Sequence, residues 1–117
     1  MQVENVIAFA TEEKPAGLEI RINFGVFAGR DATAAELEEL GKLLVPEAGE
    51  VSIVGEQRHE ISEEAEILLH QVRVSVSPEI VPDDPGARKE LCERLVTLAE
   101  IWTRQCINER HAEMTDL

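Results

Sequence analysis

Two stretches of eleven or so residues most constrain this chain. Val51 to Ile61 and Glu66 to Ser77 flank a short polar segment of Ser62, Glu63, Glu64 and Ala65. Both are rich in β-branched residues, and the spacing predicts a hairpin. Placing Ser62 opposite Ala65 sets Val51 against Val76, Ile53 against Val74 and Gly55 against Val72. Gln57 then faces His70, and His59 faces Leu68. In that register Val51, Ile53, Val72, Val74 and Val76 share one face, as burial of a sheet face demands. The other face carries Val54, Glu56, Arg58, Glu60, Ile67, Leu69, Gln71 and Arg73. Arg73 falls diagonal to Glu56 there, an attractive pair.

A second strand is written in Leu18 to Phe27. Leu18, Ile20, Ile22, Phe24 and Val26 alternate with Glu19, Arg21, Asn23 and Gly25. Period two predicts one buried and one wet face. Val3 to Ala10 is short and apolar, and Thr11 to Gly17 reads as a turn, so a first hairpin is expected.

Helix signals follow each pair of strands. Thr33 and Glu36 match a capping box, with Asp31 a competing cap. Leu37, Leu40 and Leu44 stand at helical spacing, and Pro46 and Gly49 are expected to end the helix. Pro78 to Gly86 reads as a linker. Asp84 and Pro85 then fit an N-cap and first helical position. Leu91, Leu95, Leu98 and Trp102 form a stripe widened by Cys92, Ala99 and Cys106. This helix is expected to run about 25 residues, nearly 40 Å, longer than a ten-residue strand. Its last turns, with Ile107 and Met114, would overhang the core.

The elements give a single α+β domain over residues 1–117 in ββαββα order. The expected fold is a four-stranded, mainly antiparallel sheet with two helices on one face. The halves, each two strands and an acidic helix, resemble each other weakly. An alternative drops the first strand and leaves a core ferredoxin-like in part, as topology only.

Charge narrows the partners. The 24 acidic and 11 basic residues give a net charge of −13, and the arginines are scattered. Nucleic acid and anionic membrane are repelled. No run of about 18 apolar residues predicts a membrane span. The opening residues contain Glu4 and lack a basic lead, so no secretory signal is read and a cytoplasmic location is expected. Cys92 and Cys106 are about 21 Å apart along one helix, too far for a disulfide within it.

The chemistry-bearing residues are few. Gln57, His59 and His70 gather at the turn end of the second hairpin, and with Arg73 they are the candidate ligand-binding residues. Zinc wants three or four ligands, and no third partner for the two histidines stands at a fitting spacing. No metal and no cofactor is therefore expected. Glu60, Glu63, Glu64 and Glu66 surround a turn, where solvent keeps carboxylates ordinary. Gly25 to Arg30 precedes a helix but lacks a phosphate-loop pattern. No nucleophile elbow is present, so no catalytic residue is assigned.

The expected interface residues are Phe27, Val54, Ile67 and Leu69 on the open sheet face, with Trp102 of the last helix. The readings are therefore three. The first is a non-enzymatic protein-interaction module forming a homodimer. The second is a small-molecule binder or enzyme with a site at a subunit seam near His59 and His70. The third is an acidic inhibitor or immunity-type protein acting on a basic partner.

Overall fold

A computed structural model describes residues 7–13, 17–64 and 66–115 of the chain. Strand β1 spans Ala8–Glu13 and β2 spans Gly17–Ile22; helix α1 spans Phe24–Ala28 and α2 spans Ala34–Ala48. Strands β3, Val51–Ile61, and β4, Glu66–Val76, precede the long helix α3, Pro85–Thr115. The four strands form one antiparallel sheet in the order β1-β2-β4-β3.

The β3–β4 register is the one that the valine pattern selects, from Val51 opposite Val76 to Ile61 opposite Glu66. Pairing of β2 with β4 sets Ile20 beside Val74 and Ile22 beside Val72, which extends the apolar face across the sheet centre. Ala8 and Ala10 of β1 continue it beside Ile22 and Ile20. These side chains share one core cluster with Leu40, Leu44 and Ala48 of α2 and with Leu91, Leu95, Ala99, Trp102 and Cys106 of α3. The acidic α+β pattern thus closes on a single buried cluster among the described residues.

The first hairpin differs from expectation. Thr11, Glu12 and Glu13 are not turn but strand, paired with Glu19, Leu18 and Gly17. The earlier part of the expected first strand, residues 3–6, lies outside the described residues.

The larger correction concerns Leu18 to Phe27. The strand stops at Ile22, and α1 takes over at Phe24. Alternation alone would carry the strand on to Val26. Instead, the helical turn buries Phe24 to 1% exposure beneath the sheet's neighbours and leaves Val26 60% exposed. Phe24 stacks against Trp102 at a centroid distance of 5.1 Å, and one aromatic contact of that kind outweighs the alternation of a strand end. Gly29, at φ 72°, ends α1 in a left-handed turn that suits glycine.

Capping is as the sequence implies. Thr33 Oγ1 accepts from the Glu36 N–H at 3.2 Å, while the Thr33 N–H donates to Glu36 Oε1 at 2.9 Å. Asp84 accepts from the Ala87 N–H at 2.9 Å at the start of α3. Pro46, expected to stop α2, lies inside it; Gly49 is the true C-cap, at φ 68°. In the last turn, proline forfeits only its bond to the Lys42 carbonyl, and both residues are exposed to water. Helix α3 is 31 residues long, beyond the expected length.

Candidate functional site

Three constellations of polar side chains stand out, and each is built by a different part of the fold.

The first is a cleft of about 250 Å³ where α1 and the loop after it meet the β3–β4 hairpin. Gly55 lies at its floor, with no atom within 4 Å of where a Cβ would stand. Phe24, Asp31, Gln57, His70 and Gln71 are among its walls. Register puts Gln57 directly opposite His70, and His59 one step further along β3 on the same face. Asp31 reaches down from the loop, its Oδ1 2.6 Å from His70 Nδ1. That contact is close but not aligned as a ring N–H hydrogen bond. The Asp31 side chain is 65% exposed and that of His70 30%, but the His70 Nδ1 atom at the contact is buried. Helix α1 lies so near β4 that a Cβ on Gly25 would fall 2.6 Å from His70 Cβ.

The second constellation lies on the face of the sheet away from the core cluster. Glu19 is 2% exposed, although it sits on a face carrying charged residues. Arg21 Nε donates to Glu19 Oε2 at 2.7 Å, and Arg21 Nη1 reaches Glu56 Oε1 at 3.2 Å. Arg73 stands directly beside Arg21 in the register. Its atoms lie 3.6 Å from Glu19 and 3.6 Å from Glu56, ion pairs beyond hydrogen-bond length. Gln71 donates to Asn23 Oδ1 at 2.7 Å beside them. Two arginines so placed would repel; the two glutamates between and below them make the cluster neutral. The Arg73–Glu56 diagonal follows from the hairpin register, but the burial of Glu19 does not.

The third is a clasp between helices. Arg30 holds Glu36 through two bonds of 2.7 and 2.8 Å. The Arg30 guanidinium also lies 5.4 Å from the centre of the Phe24 ring, a cation–π distance. Arg30 is the main reason that the Glu36 carboxyl is held down at about 2; burial opposes this, and Thr33 and Cys106 assist. Burial, followed by the hydrogen bond and charge of Glu36, pushes the Cys106 thiol up to about 12. Such a thiol stays protonated and is a poor nucleophile. The clasp ties the loop after α1 to the first turn of α2 and lines a second cleft of about 380 Å³ with Cys106.

The expected site residues distribute unevenly over these three. Gln57 and His70 come together in the cleft, with His59 exposed beyond them on β3. Arg73 does not join them: it projects to the opposite face because it is an odd number of residues from His70 in one strand. Asp31 was missed as a neighbour of that cleft, since only tertiary folding brings the α1–α2 loop there; Glu56 and Gln71, paired one step before Gln57 and His70 and assigned to the other face, also line it. No group of three or more His, Cys, Asp or Glu suited to a metal occurs among the described residues.

The expected interface residues also separate. Val54 is on the outer face as expected, 39% exposed. Phe27 is not on the sheet at all: it belongs to α1 and packs against the core cluster. Trp102 is 1% exposed and lies inside the subunit, because its indole spans the gap between α3 and α2. The side chains of Ile67 and Leu69 lie outside the described residues. Among the described residues no helix is long and apolar enough to cross a membrane. No family model, no curated protein and no solved structure matches the chain.

Proposed function

We propose that this protein is a protein-interaction module that acts as a homodimer. The observation that carries this reading is the reach of the β3–β4 hairpin. Strand β2 accompanies β4 only from Leu18 opposite Val76 to Ile22 opposite Val72. From Glu56 to Ile61, and back from Glu66 to Gln71, each strand pairs only with the other among the described residues; α1 packs against His70 at the base, and the ribbon runs on past it. A two-stranded ribbon is marginal in water and gains from a third strand or a covering surface. Ile61, near its tip, is 75% exposed, and covering it would remove apolar surface from water. A twofold dimer is the commonest way for a soluble chain to cover such a surface.

Light scattering at tens of micromolar tests the reading. The expected mass is twice 13.0 kDa. A monomer at that concentration overturns it.

A second reading rests on the cleft. Its volume, its glycine floor and the convergence of Gln57, His70 and Asp31 suit a small polar ligand. A thermal-shift screen of small polar molecules tests it, with His70→Ala as the control. Ligands that stabilise the wild type and the control equally would dispose of this second reading.

A further inference from the structure

The free edge of β3 offers more than a generic contact. β3 is the last strand of the sheet and pairs only with β4 among the described residues. It is 11 residues long, contains no proline, and pairs with β4 without a bulge. Long edge strands without such protection are templates for another strand.

The edge suits a second copy of itself. Under a twofold axis normal to the sheet, antiparallel strands set opposite residues on the same face. The axis then passes through a residue of β3. With Gln57 on the axis, Glu56 of each chain stands opposite Arg58 of the other. Ile53 stands opposite Ile61, and Gly55 opposite His59. Moving the axis to Glu56 sets two glutamates against each other. Moving it to Arg58 opposes two arginines and sets Glu56 against Glu60. An axis at Gly55 sets no opposite charges against each other within β3, one at Val54 pairs only residues 51–57 of the strand, and one at His59 only residues 57–61, whereas the axis at Gln57 pairs residues 53–61. Like charges directly opposite destabilise a sheet, and opposite charges stabilise it.

Three structural facts agree with the axis at Gln57. Gly55 leaves open space where its Cβ would be, room for a histidine across the edge. Ile61 is 75% exposed, whereas Ile53 is half-buried against the core cluster and would shelter it. Glu56 already receives Arg21 from the β2 side at 3.2 Å, so an arginine on its other side continues an alternation of charge.

We infer that two copies join edge to edge through β3 with the twofold axis at Gln57, which places His59 of the second copy over Gly55, at the cleft lined by His70 and Asp31. The inference rests on the homodimer reading and gives it a register. It also makes the cleft a composite of two chains.

Disulfide trapping tests the register. Opposed Cα atoms in an antiparallel pair are about 4.5–5.5 Å apart, within the span of a disulfide. Gln57 is exposed, so Gln57→Cys should fold and convert to covalent dimer under mild oxidation. In His59→Cys the two thiols are offset by about 13 Å along the strands and should not join. The wild type, with Cys106 buried, gives the background. Efficient trapping of Gln57→Cys alone supports the inference. A dimer by light scattering that Gln57→Cys does not trap, or that His59→Cys traps as well, overturns the register and leaves the homodimer standing. A monomer by light scattering, with no trapping, overturns both.

Discussion

The indole N–H of Trp102 donates to the main-chain oxygen of Glu36 at 2.9 Å. The bond ties the middle of α3 to the first turn of α2, and the Trp102 ring rests on Phe24 of α1. One side chain therefore joins all three helices. Trp102→Phe keeps most of the aromatic contact but drops the bond; it should lose about 1–3 kcal/mol of stability. Trp102→Ala should lose about 3–5 kcal/mol. Urea denaturation followed by circular dichroism measures both, and equal losses would show that the rest of the aromatic ring contributes nothing beyond the bond and the ring edge.

Glu36 ought to make stability depend on acid. Its carboxyl is held at about 2 in the fold, chiefly by Arg30, against an ordinary value of 4.5. A depressed folded value stabilises the fold fully above 4.5, and this contribution fades as pH falls towards 2. Glu36→Gln should be less stable than wild type at neutral pH. The gap should narrow below pH 4.5. Thermal melts of the two proteins across that range measure it, and a constant gap would argue against the Arg30–Glu36 pair as its source. Thr33→Ala removes the other half of the cap and should cost about 1 kcal/mol.

Cys106 should be chemically silent in the native protein. Burial and Glu36 hold its thiol at about 12, and it is only 2% exposed. In a Cys92→Ser background, a thiol reagent in mildly alkaline buffer should label Cys106 only as urea unfolds the chain. Rapid labelling without denaturant would mean that α3 opens locally near its C-terminal half.

Gly25 should not tolerate a methyl group. A Cβ there meets His70 Cβ at 2.6 Å and the His70 carbonyl oxygen at 2.9 Å. Alanine gains about 1 kcal/mol of helix propensity over glycine, but overpacking against a backbone carbonyl costs about 1–3 kcal/mol. The clash should win, because the atoms met are the Cβ and backbone of His70, which cannot swing aside as the end of a flexible side chain could. Gly25→Ala should lower stability and separate Asp31 from His70, seen as a shift of the His70 ring resonances. An alanine variant more stable than wild type would contradict this.

How far the sequence alone reached follows the range of the forces involved. The β3–β4 register was readable because period-two alternation and the location of the turn act between neighbours in one hairpin. The Thr33–Glu36 box, the Asp84 cap and the apolar stripe of α3 were readable for the same reason: each is settled within a few residues. The cleft was half legible, since Gln57 and His70 are cross-strand partners. Asp31 was not, for nothing local connects it to β4.

Four features were decided only by the tertiary structure. Phe24 left the strand because Trp102, far along the chain, offered it a buried ring contact. Trp102 itself went inward because α2 supplied an acceptor for its N–H. The order β1-β2-β4-β3 depends on β2 matching β4 across two helices and β3, a choice made by the shared apolar face rather than by any turn. Glu19 became buried because Arg21, its neighbour in the strand, and Arg73, brought beside it from β4, together neutralise its charge. Local stereochemistry wrote the elements into the sequence, while long-range burial decided which of their residues would meet.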